Sequence, residues 1–311
     1  MKLVTAFLKL IRWPNLVFIA LTQVMFFYCI VLPALNSTGL KPVLSTTMLI
    51  LLVISYVLIA AGGNIINDYF DLNIDKINKP QKVIVEKYIS RRWVIIWHLL
   101  LSIVAILINI YISYKTRIIW IAVVAFIVVI LLFLYSISLK KKFLVGNVLV
   151  SALTAWVIMI VSLIEFNAFS HTSSIDIGGL RKIMRLGILY TCFAFIISLI
   201  REVVKDMEDV EGDRKYGCTT MPIVWGLNAA KVFVAVWLIV LIAALVILQL
   251  YAFTFGWWIS ILYAIILIIL PLLFIFKKLF IAQSPQQFHA LSSLIKLTMF
   301  TGIVSMLFFY F

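Results

Sequence analysis

Residues 46–75 read TTMLILLVISYVLIAAGGNIINDYFDLNID, and this run decides how the chain folds. Positions 46–66 carry no charge and are apolar enough to cross the roughly 30 Å hydrocarbon core of a bilayer as one helix. Directly behind them come Asn67, Asp68, Asp71 and Asp75. If the helix continues past residue 66, the aspartates at i, i+3 and i+7 stack on one face, with Asn64 one turn before Asp68. Isolated carboxylates in a bilayer are costly and usually functional.

A second ladder follows later in the chain. Asp206, Asp209 and Asp213 repeat the spacing at the end of another apolar run, with Glu202 one turn earlier and Glu208 and Glu211 beside them. With Glu86, the two stretches hold ten of the twelve acidic residues. Like charges stacked in this way destabilise a helix by a few tenths of a kcal/mol per pair, roughly, so the pattern asks for a counter-ion. Hard oxygen ligands favour Mg2+, which keeps waters and takes one or two carboxylates plus substrate phosphate oxygens. The natural inference is magnesium bridging a diphosphate.

The rest of the sequence sets this chemistry in a membrane. Of 311 residues, 65% are hydrophobic and 12% charged, far from the mix of soluble domains. Apolar runs near 14–34, 46–66, 93–114, 118–138, 143–164, 184–204, 230–251, 256–276 and 290–311 predict nine transmembrane helices, an all-α polytopic protein. The first run is too long, and lacks the small-residue site, for a removable signal peptide. A net charge of +14 invites a nucleic-acid reading, but the basic residues lie in short loops between spans rather than on a reading face. Cys29, Cys192 and Cys218 are scattered and suggest neither a disulfide framework nor a zinc site.

Lysine and arginine set the expected orientation. One side holds Lys2, Lys9 and Arg12, the 76–92 and 140–142 groups, Arg201, Lys205, Arg214, Lys215, Lys231, Lys277, Lys278 and Lys296. The other holds only Lys41, Lys115, Arg117, Arg181, Lys182 and Arg185. This bias places the N-terminus and both acidic stretches on the cytoplasmic side and the C-terminus opposite. On the inner side, Lys79, Lys82, Lys140, Arg201, Lys205 and Arg214 are positioned to clamp phosphate oxygens. Connections near 67–92 and 205–229 carry the acids, and the one near 165–183 reads as a flexible outer connector.

Competing classes leave different marks. A cation transporter would place ionisable groups near the midplane, and a soluble synthase with paired Asp-rich helices would show polar outer faces. Here the spans are apolar all round, and His98, near a span end, reads as a hydrogen-bonded structural group. A purely structural or lipid-binding protein would have no use for two matched ladders.

Asn67-Asp68-x-x-Asp71-x-x-x-Asp75 resembles the first signature of the UbiA-type intramembrane prenyltransferases, and Lys205-Asp206-x-x-Asp209-x-x-x-Asp213 resembles the second. Arg12-Trp13-Pro14-Asn15, Asn78-Lys79-Pro80-x-Lys82, Tyr135-Ser136 through Lys140, and Gly146-Asn147 fall in the order of that family across nearly the whole chain. The resemblance implies a single domain: nine helices around a central cavity, capped by cytoplasmic loops 67–92 and 205–229. It implies two Mg2+ ions on Asn67, Asp68, Asp71, Asp75, Asp206, Asp209 and Asp213. Asn15, Asn64, Ser136 and Asn147 would line the cavity, and Tyr135 would steady an allylic cation. The expected substrates are a prenyl diphosphate and a lipophilic acceptor, within membrane lipid.

Arg201 through Asp213, followed by Thr219-Thr220-Met221-Pro222, is most similar to the enzymes that prenylate geranylgeranylglyceryl phosphate; aromatic acceptors of quinone or chlorophyll type are the alternative. One departure stands out. Where family members carry a Pro-Ser-Gly turn before Ile-Ser, this chain has Val85-Glu86-Lys87-Tyr88 before Ile89-Ser90. A turn glycine permits positive φ, which Lys87 would resist, so the first cap loop is expected to take another shape.

Overall fold

The computed structural model describes residues 3–81, 83–169 and 178–310. Among them nine helices are long and apolar enough to cross a membrane, and the protein is an integral membrane protein. A short α1 (Leu3–Leu10) precedes the first span, α2 (Trp13–Asn36). Then come α3 (Thr46–Asn78), α4 (Arg91–Thr116), α5 (Trp120–Ile137), α6 (Val145–Phe169) and α7 (Gly178–Glu208). Short α8 (Val210–Lys215) and α9 (Met221–Val224) lead to the last spans, α10 (Leu227–Phe253), α11 (Trp258–Ile281) and α12 (Pro285–Phe309).

The apolar runs predict the number and order of the spans, but several helices outlast their bilayer-length core. The largest gain is at α3, which runs twelve residues beyond position 66 and carries the first ladder on continuous helix. No glycine or proline interrupts it between Asn64 and Asn78, and Pro80 ends it. The residue before a proline is pushed out of the α region, and Lys79 sits at φ −144°, ψ 56°. Helix therefore covers 67–78 and 91–92 of the expected 67–92 connection. Similarly, Glu165, read as the start of an outer loop, lies within α6; residues 170–177 of that connector fall outside the described residues.

Proline is absorbed rather than excluded in two spans. Pro33 and Pro271 each follow a π turn, at Phe27–Val31 and Ile265–Ile269. A proline offers no N–H and its ring presses on the carbonyl four residues back; the wider turn lies where that carbonyl sits, at Cys29 and Leu267.

The chain divides into two compact units, residues 1–140 with 156–188 and residues 141–155 with 189–311. In the first, α3 is the central element. Ala6 and Leu10 of α1 are buried in one cluster with Ile65 and Leu72 of α3 and Ile84, Val85 and Ile89 of the following connection. Gly62 and Gly63 let neighbours approach closely: a Cβ at 62 would stand 3.3 Å from Ser102 Oγ and one at 63 would stand 3.0 Å from a Leu132 methyl. His98 is buried, its Nδ1 3.0 Å from the Gly62 carbonyl, as expected of a structural histidine. At the opposite end of α3, both oxygens of the fully buried Glu165 carboxylate accept backbone N–H bonds, from Val43 and Leu44, each 2.9 Å.

The second unit packs α7, α10, α11 and α12 around one apolar core that includes Ile200, Val204, Leu238, Leu272, Leu291 and Ile295. Two hydrogen-bonded pairs give the run of α7 along α12: Glu208 with His289 at 3.1 Å and Tyr190 with Ser305 at 2.9 Å. The helices are antiparallel.

Candidate functional site

The first ladder is built on the C-terminal half of α3. Asn67, Asp68, Asp71 and Asp75 are each partly buried, and their polar groups meet protein cations. Arg12 reaches Asp68 Oδ1 at 2.6 Å. Lys140, only 10% exposed and held in a short 3-10 turn (Leu139–Lys141), donates to Asp71 Oδ1 at 2.5 Å and to Asn67 Oδ1 at 3.0 Å. Asn67 Nδ2 closes the triangle by donating to Asp71 Oδ2 at 2.8 Å. Two groups from two elements thus fix the Asp71 carboxylate by both oxygens.

Arg12 arrives there by an unusual backbone. It separates α1 from α2 in the left-handed region, at φ 53° and ψ 51°, a conformation costing a non-glycine residue on the order of 1 kcal/mol. The bend is tied to α3 twice, by the Asp68 ion pair and by Asn64 Nδ2 donating 2.9 Å to the Ile11 carbonyl. Asp68, with Asp75 and Asp71 adding to it, raises the pKa of the guanidinium further above its ordinary value. All three aspartates therefore act on one cation, as a shared helix face requires.

The second ladder differs. Asp206 lies in the last turn of α7, and Asn147 of α6 donates to its Oδ2 at 2.8 Å. One turn earlier, Glu202 Oε1 accepts from Arg201 at 3.2 Å and from Lys205 at 2.8 Å. The expectation of one continuous stripe fails at Asp209, where the backbone departs from the helix at φ −101°, ψ 8° before α8 begins. Dipoles supply a reason. Carboxylates at a helix C-terminus face its negative end; restarting the helix at Val210 puts Glu211 and Asp213 in a first turn and Arg214 and Lys215 in a last turn, where each sign is favoured.

The remaining expected residues fall at varied distances from this pattern. Lys79 ends α3, and Arg214 is exposed beside a pocket lined by Glu211 and Phe288. Tyr135 is half-buried near the end of α5, and Asn15 caps the Arg12 bend through its backbone N–H. Ser136 is buried but spends its hydroxyl on the Leu132 carbonyl of its own helix, 2.9 Å away. Lys82 lies outside the described residues.

The UbiA prenyltransferase family is matched over residues 24–300. The chain belongs to this family. The digeranylgeranylglyceryl phosphate synthase of Methanosphaera stadtmanae is 33% identical over 253 residues, covering 80% of this chain and 83% of that one. Among solved structures, one from work on the biosynthesis of digeranylgeranylglyceryl phosphate synthase in membranes has TM-score 0.63 at 21% identity, covering 99% of both chains. A UbiA homologue from Archaeoglobus fulgidus, bound to GPP and Mg2+, has TM-score 0.57 at 17% identity, covering 97% of this chain and 99% of that one. These two structural likenesses establish the fold.

As a prenyltransferase of this family the chain offers donors of the right kind for Mg2+: aspartate oxygens and the Asn67 amide oxygen. No group of three or more His, Cys, Asp or Glu side chains converges into a ready-made metal cage among the described residues. Magnesium does not need one, since it is held by one or two carboxylates with waters and phosphate oxygens completing the shell. The donor set fits. Arg12 and Glu202 were the polar groups least visible as site residues in the sequence: Arg12 read as a family mark and a topological charge, and Glu202 as one more step of an acidic stripe.

Proposed function

We propose that this prenyltransferase moves a geranylgeranyl group from its diphosphate to geranylgeranylglyceryl phosphate, releasing diphosphate, with two Mg2+ ions. The acceptor reading rests on the synthase of Methanosphaera stadtmanae, to which the chain is similar over most of both lengths. The metal reading rests on the two carboxylate ladders, together with the Mg2+ bound in the Archaeoglobus homologue. The observation that carries the site is the Asn67–Asp71–Lys140 triangle, where carboxylate, amide and ammonium meet at the end of a membrane span.

In this reading Asn67, Asp68, Asp71 and Asp75, with Asp206, Asp209 and Asp213, hold the metal ions. Magnesium, when bound, neutralises the charge gathering on the departing diphosphate. Lys140, Lys79, Lys82, Arg201, Lys205 and Arg214 supply N–H donors to phosphate oxygens, which strengthen as the C1–O bond of the allylic diphosphate breaks. Tyr135 presents a ring face to the allylic cation. The acceptor hydroxyl oxygen bonds to C1 and gives up its proton to the released diphosphate, and Asn15, Asn64, Ser136 and Asn147 order the substrates. The positive-inside bias puts the N-terminus and both ladders on the cytoplasmic side of the cell membrane, with the C-terminus opposite, and the whole chain works as a single domain.

The test is direct. Purified protein in lipid nanodiscs, with Mg2+ and geranylgeranyl diphosphate, is offered geranylgeranylglyceryl phosphate, 4-hydroxybenzoate, dihydroxynaphthoate and homogentisate, and products are analysed by mass. Prenylation of the glyceryl phosphate alone is expected. Prenylation of an aromatic acceptor instead would overturn the acceptor assignment.

A further inference from the structure

Tyr56 and Trp156 lie well inside apolar spans, and they meet. Trp156 Nε1 donates to the Tyr56 hydroxyl at 3.0 Å. On the next residue of α6, the Val157 carbonyl accepts from Gln23 Nε2 of α2 at 3.2 Å. All four residues belong to the first unit, so a polar band ties α2, α3 and α6 together at one level.

That level can be placed twice against the first ladder. Arg12 and Asp68 are ion-paired; Gln23 lies eleven residues beyond Arg12 on α2, and Tyr56 lies twelve residues before Asp68 on α3. At about 1.5 Å per residue the two counts give roughly 17 and 18 Å. Asp68, Asn64, Ala60 and Tyr56 also form one row along α3 at a spacing of four. The row faces the start of α2, since Asn64 reaches the Ile11 carbonyl and Asp68 receives Arg12.

Packing changes at the same level. Residues 13–21 of α2 include one buried side chain, Leu16, whereas seven of residues 22–31 are buried. On α6, seven of residues 157–165 are buried. Along the α3 row Asp68, Asn64 and Ala60 are partly exposed, and Tyr56 is buried. The first unit is thus close-packed beyond the band, where no void remains for a hydrocarbon chain. Polar groups left unpaired in a membrane interior are costly, so their hydrogen bonds hold the two bulky rings in place.

We infer that the Tyr56–Trp156 pair, backed by Gln23, is the end stop that sets the length of the prenyl donor. The inference rests on the first ladder as the diphosphate site and extends that reading to chain length. With metal and diphosphate spread over Asp68, Asp71 and Asp75, C1 of the donor enters the bundle beside Asp68. An extended hydrocarbon advances about 1.2 Å per bond, as an extended backbone does, so a geranylgeranyl chain reaches roughly 18 Å from C1. It ends at the band. One more isoprene unit needs about 5 Å more, and there the interior is filled.

The experiment uses the full chain in nanodiscs with Mg2+ and geranylgeranylglyceryl phosphate, and measures kcat/KM for farnesyl, geranylgeranyl and geranylfarnesyl diphosphates. Wild-type protein is expected to use geranylgeranyl diphosphate at least about tenfold better than geranylfarnesyl diphosphate. Trp156→Ala should raise the ratio of geranylfarnesyl to geranylgeranyl transfer by about tenfold or more. Ala60→Phe, one turn nearer the ladder on the same row, should shift preference the other way, towards farnesyl diphosphate. Each reading is a ratio between donors in one preparation, so incomplete folding does not move it; Trp156→Leu serves if Trp156→Ala does not insert. Equal use of the two longer donors by wild-type protein would overturn the proposal, as would an equal loss with all three donors in both variants. Absence of transfer from every donor would instead sink the reading of the site. If an aromatic compound proves to be the acceptor, it takes the place of the glyceryl phosphate in the same donor series, so the two assignments fail separately.

Discussion

Asp68, Asp71 and Asp75 ride one unbroken helix from Thr46 to Asn78, whereas Asp206, Asp209 and Asp213, at the same spacing, are divided by a backbone break at Asp209. The first ladder is braced from outside its helix, by Arg12 at the α1–α2 bend and by Lys140 beyond α5. In the second, Arg201 and Lys205 gather on Glu202 of the same helix, while Asn147 of α6 meets Asp206 and His289 of α12 meets Glu208. Equal spacing of carboxylates therefore does not imply equal backbone mechanics. The local environment of each acid, including the helix dipole and the presence of an outside cation, decides whether the helix continues.

The largest expected effect tests whether the ladders are equivalent in chemistry despite this difference. Asp71→Ala and Asp206→Ala should each reduce kcat/KM for prenyl transfer by roughly a hundred- to a thousandfold or more, measured with saturating Mg2+ and correctly inserted protein. If only one ladder mattered, the other variant would remain active and the paired reading would fail.

The next effect separates the braces. Lys140→Met removes the ammonium that fixes both Asn67 and Asp71 and should cost roughly ten- to a hundredfold in activity. Arg12→Gly keeps the left-handed bend available but strands Asp68, and should cost about as much. Arg12→Lys retains charge without the guanidinium fork and should recover part of it. Full activity in Arg12→Gly would mean the bend alone matters, not the ion pair.

Backbone mechanics give a third prediction. Amides of residues 69–76 should exchange with deuterium at least about tenfold more slowly than those of 209–216, since a short helix after a break opens locally at low cost. Equal protection would erase the contrast.

Glu86 gives the smallest effect. It takes the positive φ, 66°, that the sequence comparison would have assigned one residue later to Lys87. Ion pairs to Lys76 at 3.1 Å and Arg91 at 2.6 Å hold this exposed side chain, and hydrogen bonding from Lys76, then the Arg91 charge, lowers its pKa from the ordinary 4.5. A folded-state pKa below the unfolded one stabilises at pH above the unfolded value and ceases to do so as pH falls through the folded one. Limited proteolysis of the 79–90 connection should therefore accelerate slightly below about pH 4.5, and Glu86→Gln should show that susceptibility already at pH 7.

Spans and ladders were legible because both are local patterns: hydropathy over twenty residues and carboxylates at helical spacing. The brace at Arg12 was not, because its role depends on a bend at one residue and on a partner 56 positions away. The break at Asp209 escaped because spacing alone carries no sign of which end of a dipole each acid meets. Lys296 falls inside the apolar run read at 290–311 because a single lysine barely lowers the hydropathy of a long apolar window. Glu165 was read as a connector residue because the loop-like composition after it masked five more residues of helix, 165–169, and its carboxylate is satisfied by a distant backbone.

The uninterrupted course of α3 has a mechanical consequence. Clasped just before its N-terminus through Glu165 and past its midpoint through Asn64, it behaves as a keyed shaft. One residue inserted between Leu49 and Ile59 would turn everything beyond by about 100° and advance it about 1.5 Å, carrying Asp68 and Asp71 out of phase with Arg12 and Lys140. The same insertion after Asp209 would be taken up by the joint there. Length variation among such chains should thus be tolerated beside the second acidic motif and forbidden ahead of the first.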